Sequence, residues 1–338
     1  MSLPPIQIAP GLERKLDVYR ITDFYSAAAM LESNSLMLTR ADLFDDPNEG
    51  IDRLLSQLQH SHPDGCGGTG WNDLQSATRA HHFVQRSHYV SCWSRESESV
   101  AMWSIYSPDR CSIRIKTTVE VLEDAAASAA KHFCISKIAS APVHRKFVST
   151  VEARIAPAMY APLSYLVHRI SRRAGARKRL VERYKRNGQK IPVFDEVDPR
   201  YWQREQQRRF LEVSKTCLLK DSSFAHEQEI RVLLRLGEER LSPKLLERIL
   251  EILPTDSKYH DQLESFLQFW GPVSETLIPE RIFAICSKQI IHQIAVDPRC
   301  PPHKKQFIER WFQEHGIPVV QSSCFGYAAS KLTSFPEW

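Results

Sequence analysis

Glycine is scarce in this 338-residue chain, with 12 residues against 20 prolines. Loops that cradle phosphates on backbone N–H groups need closely spaced glycines, and neither G-x-G-x-x-G nor G-x-x-x-x-G-K-[ST] occurs. Rossmann and P-loop architectures are therefore poor starting points. Long apolar runs are missing as well: none approaches the roughly 20 residues that span a bilayer. The opening MSLPPIQIAPGLERK lacks the basic start and apolar core of a secretory leader. The expectation is a cytoplasmic protein with no membrane contact. Cys66, Cys92, Cys111, Cys134, Cys217, Cys286, Cys300 and Cys324 are scattered without a C-x-x-C pair, and the chain is too long to need covalent staples, so reduced thiols are expected.

What is present is an ordinary globular composition, 42% hydrophobic and 25% charged, which excludes collagen, wholesale disorder and coiled coil. The net charge of +5 is unevenly placed. Residues 168–190 hold ten Arg or Lys against the single acid Glu182, a local +9 that leaves −4 for the rest. Such a stretch, with Tyr165, Tyr184 and Tyr201 in or near it, suits a nucleic-acid or other polyanion contact through Arg172, Arg173, Arg177, Lys178 and Arg179. A solvated helix without a partner, or a homo-oligomer contact, explains the same charges.

Hydrophobic periodicity gives the elements. Strands are expected at 16–21, 35–39, 88–94, 110–116, 281–286 and 317–320. Helices are expected after Asp23 as N-cap, at 97–106, at 198–210 and at 302–315. Residues 60–71 read as a loop, 117–190 as mostly helical and 242–270 as a helical insertion. From Phe224 to Leu236, Ile230, Val232, Leu234 and Leu236 fall on one face of a strand, which places Glu227, Glu229 and Arg231 together on the other. The fold expected is α+β, a mixed and mostly antiparallel sheet core from residues 16–116 and 215–320 with a helical, basic insertion at 117–212.

Five segments in order, Tyr19-Arg20, Phe44-Asp45-Asp46-Pro47-Asn48-Glu49, Ser91-Cys92-Trp93-Ser94, Met102-Trp103-Ser104-Ile105-Tyr106, and Lys220 with Phe224-x-x-Glu227-x-Glu229-x-Arg231, resemble the bacterial family called domain of unknown function 2971 over residues 18–320. The sequence departs from that pattern at Phe224, where the family has Trp, at Asn48, at Ile105, where His is common, and at Pro108-Asp109-Arg110. The family name carries no reaction. The same residues also resemble the layout of the arginine-serine-glutamate class of ADP-ribosyltransferases, which implies an NAD-using transferase, with a toxin or defence role on a nucleic-acid-associated target.

The chemistry fits those residue types. Breaking the bond between nicotinamide and ribose builds positive charge on the sugar, which a carboxylate stabilises; Glu229 is the candidate. Glu227 would orient or deprotonate the acceptor. Arg20, beside Tyr19, would grip the pyrophosphate by paired hydrogen bonds. Ser91 and Ser94 would support the ribose, and Trp103 or Tyr106 would stack on nicotinamide. A simpler reading makes Glu227, Glu229 and Arg231 a solvated cross-strand ion-pair face, and the chain a non-catalytic polyanion-binding protein. The turn at 45–49 reads as a helix cap or a divalent-cation loop, and Met102, Trp103 and Tyr106 as core packing. His60, His62, Cys66, His81, His82 and His88 match no closed zinc pattern, so no metal is expected.

Overall fold

The computed structural model describes residues 6–52, 55, 81–82, 84–132, 147–189, 217–239 and 279–326. The loop expected at 60–71 and the helices expected at 198–210 and 242–270 lie outside them, as do His60, His62 and Cys66.

The described residues build the expected α+β fold around one ten-stranded, mixed and mostly antiparallel sheet. Its strands are β1 (Gln7–Ile8), β2 (Asp17–Thr22), β3 (Ser35–Arg40), β4 (His88–Ser94), β5 (Ile113–Thr118), β6 (Phe147–Pro157), β9 (Glu229–Glu239), β10 (Arg281–Ile285), β11 (Gln293–Val296) and β12 (Val319–Val320), and β7 (Met159–Ala161) with β8 (Leu219–Asp221) makes a small parallel pair beside it. The helices are α1 (Phe24–Ser33), α2 (Val100–Tyr106), α3 (Val119–His132), α4 (Leu163–Arg186) and α5 (Pro302–Glu314).

Local chemistry explains the boundaries. Asp23 caps α1 by accepting from the Ser26 amide, and the helix stops at Asn34, which takes the left-handed conformation that Asn tolerates. Ser99 caps α2 through the Met102 amide. In β9, Ile230, Val232, Leu234 and Leu236 all enter the main core with Trp93 and Tyr89, as the alternation requires.

The region 117–212 differs from a helical insertion. Helix α3 buries Val119, Val121, Leu122, Ala125, Ala126, Ala129 and Ala130 in the main core. Strand β6 then lies along β9, pairing from Phe147↔Glu239 to Pro157↔Ile230. Its buried Ala153 and Ile155 alternate with the less buried Glu152 and Arg154, so a half-buried strand prevails over helical propensity. Only α4 is the basic helix expected.

One edge of β4 is shared between two strands. Its N-terminal half pairs with β3 (Thr39↔Val90, Arg40↔Tyr89), and its last residue pairs with β2 (Tyr19↔Ser94). Neither strand pairs with Ser91, Cys92 or Trp93 on that edge, whereas β9 runs beside all three on the other. The sheet forks there, and a cavity opens at the fork.

Candidate active site

The fork brings the three sequence-predicted strands side by side: Tyr19 pairs with Ser94, and Ser94 with Glu229. Above this row lies a cavity of about 320 Å³ lined by Tyr19, Arg20, Ser94, Tyr106, Glu227 and Glu229 among the expected residues. Phe44, Asp45, Asp46, Glu49, Cys92, Met102, Lys220, Phe224 and Arg231 complete much of its wall. That volume is at the lower end of the usual range for small-molecule sites.

Glu227 and Glu229 do not share a strand. Residues Ser222–Glu227 form a 3-10 turn, and Gln228 has φ of 42° before β9 begins at Glu229. The left-handed residue turns the chain so that both carboxylates still reach one cation. Lys220 Nζ lies 2.5 Å from Glu227 Oε2 and 3.3 Å from Glu229 Oε2. Nor is this a solvated face, because Glu227, Glu229 and Arg231 are only 3%, 4% and 1% exposed. The ion-pair reading is right about pairing and wrong about solvent.

Behind the carboxylates, Glu49 holds Arg231 through two hydrogen bonds of 2.6 and 2.9 Å, and Arg231 Nη1 also donates to the Cys217 carbonyl at 2.6 Å. Arg231 Nε sits 3.2 Å from Glu229 Oε1. Burial pushes the Glu49 carboxyl up, but the two-point grip of the guanidinium is that of an ionised carboxylate. For Glu229, burial again pushes upward, and Arg231 with Lys220 outweighs it, holding the group below the usual carboxylate range. Burial opposes the charge on Lys220, yet Glu229 and Glu227 raise its pKa, so it stands as an ammonium.

Two groups in the cavity are left with capacity for a ligand. Neither oxygen of Glu229 accepts a well-aligned hydrogen bond among the described residues: Arg231 Nε and Lys220 Nζ stand off at 3.2 and 3.3 Å, with the Cys92 thiol beside the carboxylate. Arg20 donates from Nη1 to Ser91 Oγ at 3.0 Å, and among the described residues no carboxylate pairs with it. Burial lowers its pKa, opposed only by Cys92 and Tyr106. A buried carboxylate met only by long contacts, and a part-buried guanidinium with no carboxylate beside it among the described residues, both gain from a ligand that brings hydrogen bonds or opposite charge. Each is suited to a partner that enters from the cavity.

The remaining expected residues have other duties. Ser91 is 1% exposed and lies behind Arg20, accepting also from the Trp93 indole at 3.2 Å, so it supports the guanidinium and does not line the cavity. Ser94 donates to the Glu227 carbonyl at 2.7 Å and accepts from the Glu96 amide at 2.9 Å, which fixes the turn that carries Glu227. Trp103 is fully buried and cannot stack on a ligand in this cavity; Phe224, with Lys220 Nζ 4.5 Å from its ring centre, and Phe44 supply aromatic wall instead. Tyr106 is at the cavity, and its hydroxyl donates to Glu227 Oε1 at 2.6 Å. Cys92 lines the cavity too, but burial followed by the Glu229 charge pushes its thiol far up, so it is no thiolate nucleophile.

Lys220, Arg231 and Glu49 were absent from the sequence-derived site. The signal was present: all three belong to the quoted motifs, and a Lys seven residues before Glu227 has the reach to meet it. The Asp45–Glu49 turn is built as an Asx turn, with the Asn48 amide donating to Asp46 Oδ1 at 2.9 Å, and it delivers Glu49 to Arg231. Among the described residues no group of three or more His, Cys, Asp or Glu is arranged around a metal position. His81 faces the Gly50 carbonyl, and His88 the Val84 carbonyl. No helix among the described residues is long and apolar enough to cross a membrane.

Of the five exposed-helix cations expected to meet a polyanion, Arg172 and Arg179 are exposed on α4; the side chains of Arg173, Arg177 and Lys178 lie outside the described set. No family model, curated protein or solved structure matches the chain.

Proposed function

We propose that the cavity at the fork binds the nicotinamide riboside half of NAD and transfers the ADP-ribosyl group to an acceptor. The observation that carries this reading is the opposition, in one cavity, of a buried Glu229 carboxylate held only by long contacts and an Arg20 guanidinium with no carboxylate partner among the described residues.

The balance of charge agrees. The lining holds Arg20, Lys220 and Arg231 against Asp45, Asp46, Glu49, Glu227 and Glu229. An excess of two carboxylates suits the cationic nicotinamide ring. Arg20 meets the pyrophosphate through its remaining N–H groups. Glu229 accepts from a ribose hydroxyl and, kept ionised by Arg231 and Lys220, opposes the positive charge that grows at C1′ as the C1′–nitrogen bond breaks. The bonding electrons leave with nicotinamide, which departs neutral. A nucleophilic oxygen or nitrogen of the acceptor then bonds to C1′, and its proton passes to Glu227, which Tyr106 and Lys220 hold in place, and on to solvent. With water as acceptor the same steps give hydrolysis.

The reading is tested with NAD carrying label in its adenosine, incubated with the purified chain alone and with DNA, RNA or lysate, while nicotinamide release and label transfer are followed separately. Release by the wild type and its loss in Glu229→Gln are expected. Equal release by both proteins removes Glu229 from the chemistry. A second reading, a polyanion-binding protein, is favoured by the exposed cations of α4, and it does not require the cavity.

A further inference from the structure

The basic helix does not stand apart from the cavity. Strand β7 pairs in parallel with β8, Tyr160 opposite Lys220 and Ala161 opposite Asp221, and α4 starts two residues after Ala161. Asp221 Oδ2 accepts from the Leu163 amide at 3.0 Å, and Tyr160 Oη accepts from the Glu229 amide at 2.7 Å. Leu163 and Leu166 pack on Leu219 and Leu55. The first turn of α4 is thus fastened to the residues that flank Lys220 and Glu229.

From that turn onward the helix presents a line of side chains to solvent. Arg172, Arg179, Arg183 and Arg186 are exposed, and so are His168 and Tyr165, the latter at 54%. At 3.6 residues per turn these six positions fall within about 60° of one another, and at 1.5 Å per residue the line from Tyr165 to Arg186 is about 31 Å long. Leu163 and Leu166 lie on the opposite side, so the line faces away from the core. Its aromatic member is at the cavity end and its arginines lead outward. A row of cations that follows a phosphate backbone, with an aromatic ring on which a base stacks, is the combination that holds single strands.

We infer that this face of α4 is a track for single-stranded nucleic acid, which delivers a nucleotide past Tyr165 to the cavity as the acceptor. The track stands on its own geometry; the acceptor role rests on the glycosyl-transfer reading above. The bond formed would join C1′ of the ADP-ribosyl group to an oxygen or nitrogen of that nucleotide, with nicotinamide as leaving group and the nucleotide's proton taken by Glu227.

Binding is measured first, without NAD, by fluorescence anisotropy of a labelled mixed-sequence single-stranded 20-mer, as DNA and as RNA, and of the duplex form of each, across a salt series. Replacing Arg172, Arg179, Arg183 and Arg186 together by Gln is expected to weaken single-strand binding at least tenfold and to reduce the log–log salt slope by about 2.8, or about 0.7 per lost phosphate contact. The corresponding Arg→Lys protein keeps most of the slope. Tyr165→Ala should lose about tenfold, and Tyr165→Phe little, because the ring is what stacks. Unchanged binding in the Gln protein, or a duplex held more tightly than the single strand, would overturn the track. Label transfer onto the bound oligonucleotide is measured second. It should disappear in the Gln protein while nicotinamide release continues; transfer that persists would overturn the acceptor role. No release by the wild type, with binding intact, would defeat the NAD reading and the acceptor role with it, and leave the track standing.

Discussion

The charges of the cavity and those of α4 obey opposite rules. At the fork, Glu49, Arg231, Glu229, Lys220 and Glu227 are packed with little water, and each charged group lies within ion-pair distance of an opposite one. On α4, Arg172, Arg179, Arg183 and Arg186 are in solvent, where a charge needs no partner and gives little to stability. Removing a cavity charge should therefore disturb the fold or the chemistry at once. Removing a helix charge should be silent until a polyanion is added.

The largest contrast is expected at Glu49. Glu49→Ala leaves the fully buried Arg231 guanidinium without its main counterion, and breaking such a pair costs about 3–5 kcal/mol. Denaturant unfolding of that variant beside the helix variants checks this; a loss under about 1 kcal/mol would show that the pair is dispensable. Glu229→Gln comes next, since losing one well-placed electrostatic group in a transition state costs about 10²–10³ in kcat. Its stability should fall less than that of Glu49→Ala, because Arg231 keeps Glu49 and Lys220 keeps Glu227.

A third expectation concerns pH. Glu229 is held below its ordinary pKa, so its contribution to stability is present above the usual carboxylate range and is lost as pH falls through its folded value. Lys220 is one of the two cations responsible. Lys220→Met should let burial dominate, moving the acid limb of NAD turnover to higher pH by about one unit or more. An acid limb that does not move would mean that Arg231 alone sets the state of Glu229. The smallest effect is expected for the four α4 arginines, whose single Gln replacements should each change stability by no more than about 0.5 kcal/mol.

The comparison also marks what could be read in advance. The alternation in β9 was legible, and it placed Ile230, Val232, Leu234 and Leu236 in the core. The catalytic reading asked that Arg20, Ser91 and Glu229 line one cleft; Arg20 and Glu229 do so beside Ser94, whereas Ser91 lies behind Arg20. Burial was not legible: Glu227, Glu229 and Arg231 look like surface residues because an alternating strand says only which side chains share a face, not what covers that face. The turn before Glu229 was hidden because Gln228 is not a residue that announces φ of 42°. Strand β6 was missed among helix-forming neighbours, although Glu152, Ala153, Arg154 and Ile155 alternate. The four-residue β11 is too short for a periodicity to show. On α4 the composition announced the charge, while the line from Tyr165 to Arg186 needed a helix register fixed by the burial of Leu163 and Leu166.

The most direct test of the cavity chemistry is nicotinamide release from NAD by wild-type protein and by Glu229→Gln, both shown by unfolding to be intact. Glycosyl chemistry at the fork predicts release by the wild type that falls at least a hundredfold in the variant. Equal release by the two proteins, or none by the wild type with any acceptor, would contradict it.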